Sequence, residues 1–397
     1  MTNQELVKKS IIAADALAAA GKLNPKQADK FIDYVVDESM LKGNARIERF
    51  SNEQMTINKI GVGRRVAVPA AEAKDPGTRR GVTTSKVQLQ PAEIMVPFEI
   101  SDTFGEINVE GKSVDDHVIQ MMARQLSNDM EEMYLHGNLL GPAISELDYT
   151  GEGSDTDMVR DNYLALKDGW LKQADLAHIV DADGDNISPA LFSAMLNAMP
   201  NKFKRNKNLL RFLSSTEHEQ LYRQTVASRA TNAGDDALNS TKNLTPFGTQ
   251  LLPVPLMPRQ PIVVEHVAAN ADGVTATALG FSPIYSLVLC PETLDLNPVA
   301  PYVEGVDYTV DLANGTFTRL GGGSIPAGAT VKATFETGGQ LLLTAFSNLI
   351  VAIGRDIRIE KDRDIFKRVN QYAITAKVDV KFEEIDAVVK AINVGLE

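Results

Sequence analysis

The segment from Ser113 to Gly137 constrains the fold most, because it has the pattern of one long amphipathic helix. Its apolar residues recur at steps of three and four: Ile119, Met122, Leu126, Met130 and Met133. That spacing places them on one face of a helix of about six turns. Ser113 with Asp116 predicts the N-terminal cap, and Gly137 predicts a left-handed stop. A domain built on this segment must bury that apolar face.

Extended segments precede the helix. MTINKIGVG and KVQLQPAEIMVPFEI carry β-branched residues in partial alternation, and Asp75-Pro76-Gly77 between them is a turn signal. They predict a two-stranded excursion from about Gly61 to Gln90, here called the basic excursion. It holds six basic and two acidic residues, a net charge of +4 on a chain of −12. An isolated hairpin is marginal in water, so such an excursion usually packs on a partner surface, the alternative being a solvated loop.

The remaining helices and early strands are predicted from caps and periodicity. Helices are expected over Asn3–Ala20, Asn24–Gly43, Asn162–Asp181, Pro189–Met199 and a stretch through His218 to Ala230. Leu209–Ser215 is predicted as a strand, and the proline-bearing segment LTPFGTQLLPVPLMP as an edge strand. Ala233–Asn243 is predicted to be a mobile loop.

From Pro261 to about Gly339 the helical periodicity disappears. Asp272-Gly273 predicts a hairpin joining VVEHV to VTATA, and Asn314-Gly315 predicts a second hairpin joining DYTVDL to TFTRL. We interpret residues 261–339, here called the β module, as an inserted sandwich-like domain of about 80 residues. The strand-rich segments that follow belong with the earlier core, which favours an insertion over a tandem domain.

Composition limits the classes of function. The negative net charge argues against nucleic-acid binding by the whole protein. The single cysteine, Cys290, excludes an internal disulfide framework and fits a reducing compartment. No apolar run reaches the roughly 18 residues that span a bilayer, so we expect no membrane association. Lys8 and Lys9 before an apolar run faintly imitate an export signal, but an amphipathic helix and a cytosolic product are preferred.

A search for catalytic chemistry gives no candidate. His218-Glu219 begins an HExxH motif, but Tyr222 stands where the second histidine belongs. The acidic run Asp181–Asp185 imitates a calcium loop, yet its glycine is misplaced and Phe192 replaces the closing glutamate, so an acidic surface turn is favoured. No GxSxG elbow or GxxxxGK[ST] loop occurs. We therefore predict no enzyme activity, no catalytic residue, no cofactor and no metal.

The order of these elements resembles the major capsid proteins of tailed bacteriophages with the Hong Kong 97-like fold. The resemblance rests on the basic excursion, on the helix ending MEEMYLHGN, on LTPFGTQLLPVPLMP, and most specifically on residues 348–390, NLIVAIGRDIRIEKD through FEEIDAVVK. Together these regions cover about three quarters of the chain.

The resemblance implies an α+β fold with the family's parts, and with the β module as an all-β, Ig-like insertion extra to the basic plan. The implied domains are an N-terminal helical arm (1–49), an E-loop with flanking strands (50–110), a spine helix and peripheral domain (111–174), an axial domain (175–260), the β module (261–339), and the axial and peripheral return strands with the C-terminus (340–397).

The resemblance also implies a function, a structural subunit that assembles with copies of itself into hexamers and pentamers of an icosahedral shell. The shell would enclose phage double-stranded DNA without sequence-specific binding, in a virion assembled in the bacterial cytoplasm. A scaffolding protein and a portal are the expected partners. The residues expected at the subunit interface are the charges of the excursion: Arg64, Arg65, Glu72, Lys74, Asp75, Arg79 and Arg80.

Several alternatives stay open at this point. Some relatives cross-link a lysine of this loop, and Lys74 and Lys86 lie in the corresponding region, although no acceptor is identified. An encapsulin-like nanocompartment shell shares the fold but encloses enzymes. A carbohydrate-binding surface protein acting through the β module is a third reading, with the following aromatic residues available: Phe281, Tyr285, Tyr302, Tyr308, Phe317 and Phe335.

Overall fold

The computed structural model describes residues 11–12, 44–49, 54–61, 67, 83–101, 114–145, 158–229, 242–292 and 300–395. Over these residues the fold is α+β, with more strands than helices. The helices are α1 (Val114–His136), α2 (Trp170–Gln173), α3 (Pro189–Ala198) and α4 (Thr216–Ala227). No helix in this part of the chain combines the length and the apolar character needed to cross a membrane.

The strands are, in chain order, β1 (Ile11–Ile12), β2 (Arg46–Arg49), β3 (Met55–Gly61), β4 (Thr83–Leu89), β5 (Ala92–Ser101), β6 (Ala143–Ser145), β7 (Met158–Arg160), β8 (His178–Asp181), β9 (Leu210–Ser214), β10 (Gln250–Pro253), β11 (Ile262–Ala268), β12 (Thr277–Ala278), β13 (Ile284–Pro291), β14 (Tyr308–Asp311), β15 (Thr316–Arg319), β16 (Thr330–Thr337), β17 (Gly339–Ala345), β18 (Leu349–Asp364), β19 (Val369–Phe382) and β20 (Val389–Val394). The chain divides into two compact units, residues 1–34, 47–123 and 351–383 in the first and residues 35–46, 124–350 and 384–397 in the second.

The first unit is built on a five-stranded sheet in the order β1-β5-β19-β18-β2. β5 and β19 pair antiparallel over ten residues, from Ala92↔Val378 to Ser101↔Val369. Phe98 lies opposite Tyr372 in this ladder, and their rings stack with centroids 5.1 Å apart. Both side chains are buried, so two strands that are far apart in the sequence are joined by a shared apolar face.

Helix α1 confirms the predicted long amphipathic segment. Leu126, Met130 and Met133 are each at most 2 % exposed, whereas Arg124, which is not part of the apolar face, is exposed. The predicted cap at Ser113 lies outside the described residues.

The left-handed stop predicted at Gly137 is wrong, because Gly137 is not among the residues with positive φ. Its missing side chain serves close packing instead. A Cβ there would lie 2.3 Å from the carbonyl oxygen of Lys167, and the Gly137 carbonyl accepts a 2.7 Å hydrogen bond from the Gly169 amide. The end of the helix is therefore fixed by backbone packing against the 167–169 segment.

The second unit contains a mixed five-stranded sheet in the order β10-β9-β17-β20-β8. Helices α3 and α4 pack on it around Phe192, whose ring meets those of Phe212 and Tyr222 edge-on at 4.7 and 4.9 Å. Ser188 and Ser215 cap the two helices by accepting from Leu191 and His218 amides. β10 occupies an outer position in the sheet, which confirms the predicted edge strand.

Residues 262–337 form two three-stranded sheets, β11-β16-β13 and β12-β15-β14. The two sheets share one apolar core, in which Leu289, Phe317 and Phe335 are at most 1 % exposed. The hairpin predicted at Asn314-Gly315 is confirmed, since β14 and β15 pair antiparallel from Tyr308↔Arg319 to Asp311↔Thr316. The interpretation of this segment as an Ig-like insertion, and the domain boundaries given above, stay predictions.

The hairpin predicted at Asp272-Gly273 is wrong. β11 pairs with β16, whereas β12 pairs with β15, so the turn carries the chain from one sheet to the other. The Asp272 carboxylate accepts hydrogen bonds from the Val274 and Thr275 amides, which makes this a local turn held by its own side chain. An Asp-Gly signal identifies a turn without identifying which strands it joins.

Two predicted helices also need correction. Ile11 and Ile12 lie in a strand that pairs parallel with Glu99 and Ile100, so the helix over residues 3–20 is wrong there. Residues 162–181 form short helical turns followed by strand β8, because Gly169 packs on the backbone of Leu135 and β8 pairs with β20. The rest of the helices predicted over residues 3–20 and 24–43 lies outside the described residues, as do residues 233–241 of the loop predicted at Ala233–Asn243.

Candidate assembly surfaces

The base of the basic excursion is an antiparallel two-stranded ladder. β3 pairs with β4 in an unbroken register from Met55↔Leu89 to Gly61↔Thr83. Leu89 is fully buried and Ile57 and Val87 are half-buried, so the ladder has one apolar face. The two predicted strands are thus present, and residues 62–82 connect them in the sequence.

The seven charged residues predicted at the subunit interface all fall in that connecting segment: Arg64, Arg65, Glu72, Lys74, Asp75, Arg79 and Arg80. They lie outside the described residues, so their role stays a prediction. Of the two lysines considered for cross-linking, Lys74 is likewise outside, whereas Lys86 lies exposed on β4 opposite Asn58.

A second candidate contact surface is the turn between β18 and β19. These strands of sixteen and fourteen residues are joined by residues 365–368, where Phe366 is 100 % exposed and Ile365 is 76 % exposed. Arg368 adopts a left-handed φ of 56°, and the Asp364 carboxylate accepts from the Phe366 and Lys367 amides to hold the turn. Two adjacent large apolar side chains at a turn form a surface suited to contact with another protein.

The motifs that imitate catalytic sites have structural roles. His218 is completely buried, and its Nδ1 lies 2.6 Å from the Ser215 hydroxyl, which also accepts from the His218 amide. Burial lowers the pKa of His218, so it is a neutral core histidine next to a helix cap. Burial likewise raises the pKa of the Cys290 thiol, which makes this cysteine a poor nucleophile.

The acidic run Asp181–Asp185 is a tight turn, as predicted. Asp181 accepts from the Asp183 amide and from the Asn393 side chain, and Asp183 and Gly184 both have positive φ. In the described ranges no three His, Cys, Asp or Glu side chains are placed to hold a metal ion together.

A cavity of about 270 Å³ opens beside the C-terminal end of α1 within the second unit. His136, the last residue of the helix, lines it. Its Nε2–H donates a hydrogen bond to the Leu256 carbonyl oxygen 2.7 Å away, which makes Nε2 the protonated nitrogen. Burial lowers the pKa of His136. The sequence analysis missed this cavity because its walls come from segments more than 100 residues apart in the chain.

Comparison with known proteins extends over nearly the whole chain. The chain is 28 % identical over 396 residues to the "Putative prophage capsid protein YqbE" of Bacillus subtilis (strain 168), with 99 % of both chains covered. In structure it resembles the capsid of a native GTA particle with a TM-score of 0.52 at 12 % identity, covering 96 % of this chain and 100 % of that one. The chain has the Hong Kong 97-like capsid fold. The resemblance to phage major capsid proteins is thereby confirmed.

Two further results complete the comparison. No protein-family model matches the chain. A stretch of 45 residues is 51 % identical to part of the "Tail sheath protein" of Burkholderia phage BcepMu, covering 11 % of this chain and 9 % of that protein. A match over so little of either chain does not indicate a common role for the whole proteins.

Proposed function

We propose that this protein is the major shell subunit of a phage-type capsid, assembling through contacts between identical copies into hexamers and pentamers of a closed icosahedral shell. The observation that carries the proposal is the likeness to a prophage capsid protein over 99 % of both chains. A relationship of that extent includes the excursion, the long helix and the return strands together, rather than one shared domain.

The mechanism in this proposal is geometric, and no chemical turnover is involved. Each copy presents the basic excursion to a neighbour, and repetition of the same contact around a closed ring generates the capsomer. The net charge of +4 on the excursion against −12 on the chain supports charge-complementary contacts between copies. Arg64, Arg65, Arg79 and Arg80 are the residues we expect to carry them.

Further partners follow from the same proposal. The shell encloses double-stranded DNA, and a negatively charged wall does not bind the packaged genome tightly. A scaffolding protein and a portal complete the particle, which is assembled in the cytoplasm of a bacterial host and ends in the virion.

Negative-stain electron microscopy of the purified full chain, expressed alone and with candidate scaffolding proteins, tests the proposal. We expect closed shells or rings. A uniformly monomeric, folded protein under every condition would overturn it. Nuclease treatment followed by extraction then separates the phage capsid from an encapsulin-like shell, because the first protects DNA and the second retains an enzyme. The name of the whole-length relative favours the first.

A further inference from the structure

A lysine is buried on an inner strand of the second unit's five-stranded sheet. Lys390 of β20 lies between Leu342 of β17 and Ile179 of β8, and its side chain is 3 % exposed. Its Nζ donates to Asp175 Oδ1 at 2.6 Å and to the Leu171 carbonyl oxygen at 3.1 Å. Burial lowers the pKa of Lys390, so its neutral amine forms more easily than that of an exposed lysine.

The carboxyl group that faces this amine is held at both oxygens. Oδ1 of Asp175 accepts from Lys390, and Oδ2 lies 3.2 Å from Lys172 Nζ. Since Cγ is one bond from Oδ1, the Lys390 nitrogen lies at most about 4 Å from this carbon, close to the roughly 3–3.5 Å at which reacting atoms are positioned in productive complexes. The Asp175 side chain is 31 % exposed, which leaves a path to solvent on one side.

A second carboxyl group approaches the pair from the β module. Val263 of β11 lines a small cavity together with Lys172 and Lys390, and Glu265 follows two residues later on the same face of that strand. The charges of Lys172, Asp175 and Lys390 all act on Glu265. Desolvation raises the pKa of Glu265, which favours its acid form beside the amine. An amine, a carboxyl group and a proton carrier therefore meet at one place.

We propose that the folded chain joins Lys390 to Asp175 by an amide bond, with Glu265 as the proton carrier. A proton first moves from the Lys390 ammonium to Oδ1 of Asp175 along their hydrogen bond. Nζ then attacks Cγ, the C–N bond forms, and Lys172 stabilises the negative charge that develops on Oδ2. The acid form of Glu265 gives its proton to the departing Oδ1 and takes one from Nζ, so the C–O bond breaks and one water leaves. One amine and one carboxylic acid become one amide and one water.

Burial distinguishes this pair from an ordinary surface ion pair of the same chain. Lys202 and Asp386 lie 3.4 Å apart with side chains 60 % and 55 % exposed, so water keeps both of them charged. A charged pair at Lys390 has a large desolvation cost, whereas an amide carries no charge. The bond would also tie the helical turn before β8 to β20, across 215 positions of sequence.

Intact-mass spectrometry of the denatured full chain tests the bond without any substitution. We expect a mass lower than that of the sequence by one water molecule and, after proteolysis, a branched peptide that contains both Asp175 and Lys390. Asp175→Asn is expected to lose ammonia instead of water, because its amide nitrogen becomes the leaving group. A parent chain that keeps its full mass after prolonged incubation in the folded state overturns the inference, as does a water loss without the branched peptide.

Three substitutions test the assigned roles. Lys390→Arg is expected to abolish the branched peptide, and Glu265→Gln, which cannot carry the proton, to slow its formation about a hundredfold or more. Lys202→Arg alters only the exposed pair and is expected to leave the bond intact. A folded Glu265→Gln chain that forms the bond at the parent's rate overturns the role of Glu265. None of these measurements depends on assembly, so absence of the bond leaves the proposed function standing.

Discussion

The basic excursion and the β module are both built from antiparallel strands, but they differ in what buries their side chains. The module closes two sheets over its own core of Leu289, Phe317 and Phe335. The ladder β3–β4 belongs to a two-stranded sheet, and Leu89 is the one fully buried side chain among those described in it. A three-stranded sheet packed on another is stable alone, whereas a two-stranded ribbon needs a partner. The comparison predicts that mutations in the module reduce subunit stability, while mutations in the excursion reduce assembly.

The largest expected effect is in the core of the module. Phe335→Ala removes a side chain that is 1 % exposed and packs against Phe281 with ring centroids 5.7 Å apart. We expect a loss of about 3–5 kcal/mol in the free energy of unfolding, measured by urea denaturation of the unassembled subunit. Val274→Ala, at a position 82 % exposed, is the control and is expected to stay within about 0.5 kcal/mol. Equal effects of the two variants would contradict a self-contained core.

The next effect concerns Asp307, which connects two turns of the module. Its carboxylate accepts from the Val303 amide at 2.7 Å and from the Ser324 amide at 2.6 Å, and the residue is 5 % exposed. Asp307→Ala leaves two amides unpaired, so we expect a loss of about 1–3 kcal/mol. Asp307→Asn keeps one acceptor oxygen and is expected to lose less.

The same interaction has a predictable pH dependence. The hydrogen bond from the Ser324 amide, followed by that from Val303, lowers the pKa of Asp307 in the folded state. The stabilisation is therefore fully present above the unfolded pKa of about 3.9 and is lost as pH falls through the lower folded pKa. The difference in unfolding free energy between parent and Asp307→Ala should shrink in that acidic window. A difference that stays constant from pH 7 to below pH 3 would show that the carboxylate charge is not involved.

Glu132→Gln should have the smallest effect on stability, and the expected change is a slight gain instead of a loss. Glu132 is exposed, but partial desolvation and then repulsion from Asp129 and Asp161 raise its pKa, so its charge opposes folding only weakly above that pKa. We expect thermal denaturation at pH 7 to show a gain of no more than about 0.5 kcal/mol, which disappears as pH falls through the folded pKa. A variant that is destabilised at pH 7 would contradict this electrostatic account of Glu132.

The sequence predicted correctly those elements whose conformation depends on residues close by in the chain. The 3–4 spacing of Leu126, Met130 and Met133 identified α1, and Ser188-Pro189 identified the start of α3. It failed where a distant segment decides the conformation. Gly137 and Gly169 owe their positions to each other's backbones, and β11 finds its partner β16 more than 60 residues later. The cavity beside the C-terminal end of α1 depends on contacts of the same long range, which the sequence does not show.

The prediction of the assembly surface also succeeded only where the signal is local. Charge counting identified the basic excursion, and its paired base is present in β3 and β4. The identity of the surface that it contacts is not encoded within the excursion, because a solvated loop and an interface have the same composition.

Cryo-electron microscopy of particles assembled from the full chain tests the central claim most directly. The account predicts a shell in which residues 62–82 lie against a neighbouring copy. A reconstruction in which residues 62–82 contact only their own subunit would contradict it, as would a preparation of folded subunits that forms no shell with any scaffolding partner.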